Sequence, residues 1–268
     1  MSDVLHNADL SGRPAPQAVI MAAGKGTRMG EGDLPKVLYP VAGKPMLWWV
    51  VKACQDVGVS RCVVVVGYKS DEVRQSLEGV EGIEFAEQGD PKGTAHAAQV
   101  TRHLFEGQPE TDLFVLAGDG PLIRTKTLAR LLEVHRRRGA SATLATSIID
   151  DPTGYGRIIR SADGGLECIV EQKDATPEQL QIQEVNPSYY CFNSGSLFSA
   201  LDEVKSHNSQ GEYYITDVPA ILKGHGKKVE VVEAVPAEDV LSINTKEQLA
   251  EVDAILKQRL AGESVGAA

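Results

Sequence analysis

Three short segments carry residue types that could handle a phosphorylated ligand. The richest is Met21-Ala22-Ala23-Gly24-Lys25-Gly26-Thr27-Arg28-Met29, which closes a short apolar run. Small residues in such a turn let backbone N–H groups approach a phosphate chain without side-chain obstruction. Lys25, Arg28 and then Lys36, in Leu34-Pro35-Lys36-Val37-Leu38, add cations near the same strand end. Spacing excludes two familiar phosphate loops. A dinucleotide fingerprint needs a third glycine where Met29 stands, and a P-loop needs Gly-Lys followed by Ser or Thr, whereas Gly26 follows Gly24-Lys25 and Pro45 follows Gly43-Lys44. A merely tight turn would explain the glycines but not the neighbouring Thr27, Arg28 and Lys36.

The second segment is Leu116-Ala117-Gly118-Asp119-Gly120-Pro121-Leu122. A lone acid at the end of a buried strand can hold Mg²⁺ against a bound phosphate, since magnesium often takes only one or two protein carboxylates. A turn aspartate or a helix cap is the plainer reading of Asp119. No second acid stands two residues away, which argues against a glycosyltransferase with an Asp-x-Asp pair. In the third segment, Gln88 precedes Gly93-Thr94 at an expected helix start, where backbone donors face a carbonyl or phosphate. A glutamine amide both donates and accepts, which suits the imide edge of a pyrimidine; a surface-loop glutamine is the alternative. His96 is expected to be a helix residue without a catalytic role. No nucleophile–histidine order and no zinc-like His/Cys spacing is present.

These segments need a scaffold, and hydrophobic patterning supplies one. Short apolar runs at 17–23, 62–66 and 113–117 read as buried strands, with 83–87 extended between them. Helices are expected at 46–57 after Pro45, at 70–77, at 94–105 and at 125–138, with Thr125 as N-cap and Gly139 as the C-terminal stop. From Ala142 the pattern turns to strands, at 142–147, 156–160, 166–171 and a single one at 184–192. Helices return at 196–205 and 213–222, a strand at 228–235, and a last helix opens on the capping box Thr245-Lys246-Glu247-Gln248. The alternation predicts an α/β fold, a doubly wound sheet with an antiparallel annex. A flexible tail is expected at 1–16, one domain at 17–259 and a second flexible tail at 260–268.

Composition narrows the partners. Lys plus Arg number 27 against 37 Asp plus Glu, a net charge of −10, which argues against a general nucleic-acid or membrane-surface binder. The basic run His135-Arg136-Arg137-Arg138 reads as a solvated face at a helix end. Four cysteines without a C-x-x-C pair, no apolar leader in the first 16 residues and no membrane-length apolar stretch lead us to expect a reduced, cytoplasmic protein.

Taken in order, Ala-Ala-Gly-Lys-Gly-Thr-Arg-Met, Pro-Lys-Val-Leu, Gly-Lys-Pro-Met, Gly-Thr-Ala-His-Ala, Gly-Asp-Gly-Pro-Leu-Ile, Tyr155-Gly156-Arg157-Ile158 and Ile169-Val170-Glu171-Gln172-Lys173-Asp174-Ala175 resemble the sugar-nucleotide pyrophosphorylases. In particular they resemble the uridyltransferase domain of the bacterial bifunctional enzyme that makes UDP-N-acetylglucosamine, over about 18–256. The resemblance implies a Rossmann-like mixed sheet of the nucleotide-diphospho-sugar transferase type, whose smaller annex binds the sugar. It implies that Met21, Ala22, Ala23 and Gly24 hold the nucleoside. Gln88, Gly93 and Thr94 match the uracil-reading positions, and Gly118 joins the substrate contacts. Arg28 and Lys36 match the catalytic cations around the triphosphate, Asp119 and Asn244 the Mg²⁺ ligands, and Gly156, Glu171 and Asn186 the sugar contacts. Two departures stand out. Asn186-Pro187-Ser188 replaces the usual Asn-Thr-Gly, and Ser242-Ile243-Asn244 replaces Gly-Val-Asn.

The implied reaction joins UTP and a sugar 1-phosphate, N-acetylglucosamine 1-phosphate first, to a UDP-sugar and pyrophosphate. The same chemistry on another sugar 1-phosphate, or a weakly catalytic sugar-nucleotide sensor, are the alternatives. The 268 residues are expected to hold this transferase without the left-handed β-helix acetyltransferase of the bifunctional enzyme. Relatives trimerise largely through that second domain, so the resemblance leaves the oligomeric state open.

Overall fold

Successive residues of the first strand point to opposite faces of a sheet, and both faces are covered. Ala18 and Ile20 join Val64, Val66, Phe114 and Leu116 under one set of helices, while Val19 joins Val63, Val65, Leu113 and Val115 under another. Two apolar coats are why these strands read as unbroken apolar runs rather than alternating ones. The computed structural model describes residues 13–26, 34–241 and 243–266.

Chain order is β1 (Gln17–Met21), β2 (Pro40–Val41), β3 (Lys44–Pro45), α1 (Met46–Asp56), β4 (Arg61–Val66), α2 (Ser70–Ser76), β5 (Ile83–Glu87), α3 (Thr94–Gln99), β6 (Asp112–Ala117) and α4 (Thr125–Arg138). There follow β7 (Ala142–Ile148), β8 (Gly156–Arg160), β9 (Leu166–Val170), β10 (Glu184–Asn186), β11 (Tyr189–Asn193), α5 (Ser194–Leu201), α6 (Val218–Gly224), β12 (Val229–Glu233) and α7 (Lys246–Gly266). The main sheet has 10 strands in the order β5-β4-β1-β6-β11-β7-β10-β8-β9, with β12 beside β7. Strands β5, β4, β1 and β6 are mutually parallel. Beyond them β11 runs antiparallel to both β6 and β7, and β10, β8 and β9 continue antiparallel. One edge of β7 is shared: β12 pairs with it from Ala142 to Thr146 and β10 at Ser147 and Ile148. Helices α1, α2 and α4 pack on one face and α3, α5 and α6 on the other, while Val252 and Leu256 of α7 close a smaller core with Val41, Met46 and Leu122. This is the doubly wound mixed sheet with an antiparallel annex.

Several local expectations change. The strand expected at 184–192 is two strands, on opposite edges of β7, because Pro187 lacks an N–H and Ser188 takes a left-handed φ of 64°. The helix expected to 105 stops at Gln99, where the buried Thr101 hydroxyl donates to the Ala98 carbonyl and a 3₁₀ turn at Arg102–Leu104 follows. Thr125 is the first helical residue rather than the cap; extended Arg124 precedes it and pairs with Asp239 and Glu238. The basic run is not one solvated face: His135 is buried and Arg136 docks on Asp112, leaving Arg137 and Arg138 exposed. The capping box forms, Gln248 accepting from the Thr245 N–H at 3.1 Å and donating its own N–H to the Thr245 hydroxyl at 3.2 Å. Helix α7 then runs to Gly266, through most of the expected C-terminal tail. Of the expected N-terminal tail, residues 1–12 lie outside the described residues, and the carbonyls of Pro14 and Pro16 are held by Arg136 and Ser60.

Candidate active site

The carboxyl ends of β1, β5 and β6 open into a cavity of about 570 Å³. It is lined by Met21, Ala22, Ala23, Gly24, Lys36, Gln88, Gly93, Thr94, Asp119 and Asn244, residues gathered from five separate segments. A second cavity, of about 460 Å³, lies over the annex and is lined by Gly156, Glu171, Asn186, Tyr189 and again Asp119 and Asn244. Ala117, Asp119, Ser188 and Asn244 thus form the boundary the two cavities share. Of the residues singled out in the sequence, Arg28 lies outside the described residues. Gly118 lines neither cavity: its N–H donates to the Met21 carbonyl at 2.9 Å, and a Cβ there would stand 3.0 Å from that oxygen. Its lack of a side chain lets β6 close on β1.

Across the boundary, Lys36 Nζ lies 2.6 Å from Asp119 Oδ2. The pair brings together a lysine and an acid 83 residues apart. The turn after β1 is tied down by backbone bonds, Ala22 donating to Val65 at 2.9 Å, so its small residues present main chain to the cavity. Gly93 has φ 109°, and a Cβ on it would lie 2.4 Å from the Tyr213 carbonyl oxygen, so only glycine fits. The Thr94 hydroxyl accepts from the Ile215 N–H at 2.9 Å, pinning the start of α3.

Gln88 is 5% exposed, and its amide nitrogen reaches the Gly93 carbonyl at 3.2 Å and His96 Nδ1 at 2.9 Å. His96, expected to be a helix residue without a catalytic role, lies on α3 and touches this cavity-lining side chain. Its only sequence signal is its place on the first turn after Gly93-Thr94.

The second cavity is a polar network. Asn186 Nδ2 donates to the Tyr190 hydroxyl at 2.6 Å, and its Oδ1 accepts from the Ser188 N–H at 3.1 Å. Burial pushes the Glu171 carboxyl above the usual carboxylate range; the Thr216 hydroxyl, donating to it at 3.1 Å, opposes this, and Asp174, Asp217 and Glu212 add to the rise. Burial likewise raises Tyr190. Arg157 is 1% exposed and donates to the Tyr155 carbonyl and, at 2.8 Å, to Gln172 Oε1, which also accepts from Gly154 N–H at 3.1 Å. It staples the strand carrying Gly156 to the turn after Glu171. A charged residue between Gly156 and the apolar pair Ile158-Ile159 was the available signal for it.

Among the described residues, no group of three or more His, Cys, Asp or Glu gathers to form a metal cage. A cation at the boundary would meet one carboxylate and one amide side chain.

Residues 18–216 match the model of the MobA-like NTP transferase domain. The bifunctional protein GlmU of Geobacillus thermodenitrificans is 45% identical over 244 residues, 91% of this chain and 52% of that protein. The bifunctional protein GlmU of Bacillus cytotoxicus is 43% identical over 243 residues, again 91% and 52%. The chain thus spans about half the length of these curated relatives. Among solved structures, UDP-glucose pyrophosphorylase complexed with UDP-glucose superposes with a TM-score of 0.75 at 17% identity, covering 92% of this chain and 100% of that one. A putative glucose-1-phosphate thymidylyltransferase from Bacillus anthracis follows at 0.74 and 18%, covering 90% and 95%. At that identity the likeness is one of fold.

Proposed function

The chain belongs to the MobA-like NTP transferase domain family, and from that premise we propose that it joins UTP and N-acetylglucosamine 1-phosphate to UDP-N-acetylglucosamine and pyrophosphate. The observation that carries the reading is the Lys36–Asp119 pair on the boundary between two cavities of unlike make. UTP would occupy the backbone-lined cavity, with Gln88, Gly93 and Thr94 at the base and Met21 to Gly24 at the nucleoside. The sugar phosphate would occupy the other, against Gly156, Glu171 and Asn186.

A phosphate oxygen of the sugar phosphate attacks the α-phosphorus of UTP in line as the bond to pyrophosphate breaks. The attacker is already anionic, so the site needs no strong general base. Its task is to align two polyanions and offset their repulsion. Lys36 stands where it can neutralise charge at the α-phosphate, and Arg28 is proposed for the leaving pyrophosphate. Asp119 and Asn244 offer hard oxygen donors of the kind Mg²⁺ takes alongside phosphate oxygens and water, and the ammonium already in contact with Asp119 suits a carboxylate placed to receive a cation. Bound there, Mg²⁺ would supply charge stabilisation and a template shared by both substrates.

Among the described residues, no helix is long and apolar enough to cross a membrane. With small-molecule substrates of this kind we place the chain in the cytoplasm. The test is a pyrophosphate-release screen of the common nucleoside triphosphates against sugar 1-phosphates with Mg²⁺. UTP with N-acetylglucosamine 1-phosphate should react fastest. Reaction of another pair alone would replace the substrates and keep the chemistry; tight UDP-sugar binding with no release by any pair would overturn the reading in favour of a sensor.

A further inference from the structure

Gln88 and His96 form a device that the proposed reaction leaves unexplained. A carbonyl oxygen only accepts, so the Gly93 contact at 3.2 Å fixes which end of the Gln88 amide is the nitrogen. The same nitrogen lies 2.9 Å from His96 Nδ1, so that ring atom is the lone-pair acceptor and the proton sits on Nε2. The neutral ring agrees with its surroundings: burial, then Lys92, lower the imidazole pKa from its ordinary value, with Asp90 opposing. Both N–H groups of the amide are therefore committed inside the protein. Its oxygen has no partner among the described residues and belongs to a side chain that lines the first cavity.

We infer that His96 is a positioning residue for base choice: by holding the Gln88 amide it turns Oε1 toward the nucleobase, so that a pyrimidine with a donor at N3 is taken and one with an acceptor at N3 is refused. Uracil carries N3–H, whereas cytosine presents a lone pair there and would face the oxygen with like polarity. A site committed to a hydrogen bond discriminates strongly, because the wrong partner leaves a buried polar atom unpaired. Without His96, one amide N–H loses its acceptor, and the orientation rests on Gly93 alone. The inference rests on the proposed UTP reaction, yet it can fail independently of it.

The experiment compares UTP and CTP in steady-state pyrophosphate release with N-acetylglucosamine 1-phosphate, alongside calorimetric binding of each nucleotide. His96→Leu and His96→Ala remove the acceptor with and without side-chain bulk, and His96→Asn can return an acceptor oxygen near the Nδ1 position. In both acceptor-free variants the UTP KM should rise about tenfold with kcat within about twofold, and the UTP-to-CTP ratio of kcat/KM should fall about tenfold. His96→Asn should recover most of that ratio. A merely structural role would lower both nucleotides together and leave the ratio unmoved. An unchanged ratio in whichever acceptor-free variant folds, or an Asn variant no better than Leu, overturns the inference. If the unaltered protein prefers another nucleotide to UTP, the proposed function falls first, and that is seen before any substitution is made.

Discussion

The two cavities that meet at Asp119 are built by different means. The one over the parallel strands is built mainly of small residues, a turn after β1 and a glycine at the start of α3, with Met21, Lys36, Gln88 and Glu212 as its longer side chains. The one over the annex is made of buried polar side chains that satisfy one another: Asn186 with Tyr190, Glu171 with Thr216, Arg157 with Gln172. Even there, Nε of Arg157 is left without a partner. A main-chain cavity holds its shape while its residues stay small. A side-chain network depends on every member, since stranding a buried polar group costs about 1–3 kcal/mol. The first cavity should therefore be broken by added atoms and the second by removed ones.

The boundary is where the contrast disappears, and it carries the largest expected effect. Asp119 faces both cavities, so Asp119→Ala should lower kcat by on the order of a thousandfold or more with Mg²⁺ present, whichever substrate is saturating. Single-turnover quench measurements check this; near wild-type rates would remove Asp119 from the metal assignment. Next comes an addition to the first cavity. Gly93→Ala forces a Cβ to within 2.4 Å of the Tyr213 oxygen and 2.8 Å of its nitrogen. Backbone, not a flexible side-chain end, must yield. We expect kcat/KM for UTP to fall on the order of a hundredfold, with the KM for the sugar phosphate little changed. Equal losses on both substrates would show that the cavities are not separable.

Legibility follows the same division. The parallel strands were readable because both of their faces are apolar, and the loop after β1 because glycines beside cations have few structural explanations. The pairing of Lys36 with Asp119 was not readable, since 83 residues separate partners that only the β1–β6 contact brings together. The annex was harder. Apolar residues continue through Tyr189 to Phe192, so the run looked like one strand although Pro187 already argued for a break. Arg157 and Asn186 are polar residues whose burial depends on specific partners, Gln172 for the one and Ser188 and Tyr190 for the other, and periodicity reports faces rather than partners. The contact of His96 was hidden for the same reason: its partner is the side chain eight residues before it.

The seam between the two halves gives a third, smaller effect. His135 on α4 faces Thr143 of β7 through Nδ1 at 3.0 Å and Asp112 of β6 through Nε2 at 3.5 Å. Burial lowers its pKa to about 4; Asp112 opposes the shift, while Arg13 and Arg136 add to it. The unfolded chain thus binds a proton that the folded chain refuses over the window from about 6.5 down to about 4. Stability from the neutral ring is complete above that window and is lost as pH falls through it, by on the order of 2–3 kcal/mol. Urea unfolding at a series of pH values should show this slope, and His135→Leu should flatten it. A slope unchanged in the variant would assign the acid sensitivity to other groups.

The smallest effect asks to which half Ser188 belongs. Its φ of 64° is a conformation that glycine adopts freely, and glycine is the residue of the resembled motif at this place. Its backbone N–H is held by Asn186, and the residue lines both cavities. Ser188→Gly would relieve about 1 kcal/mol of left-handed strain. It would also add chain entropy to the unfolded state, by about 0.4–1 kcal/mol. These terms nearly cancel, so the urea midpoint should move by less than about 1 kcal/mol equivalent at constant m. That outcome places Ser188 with the glycines of the first cavity, as a piece of main chain whose side chain is dispensable. A loss beyond about 2 kcal/mol would instead make the side chain a member of the Asn186–Tyr190 network, because a buried polar contact then governs the result. The division between a main-chain cavity and a side-chain cavity would in that case run between Asp119 and Ser188 rather than through them both.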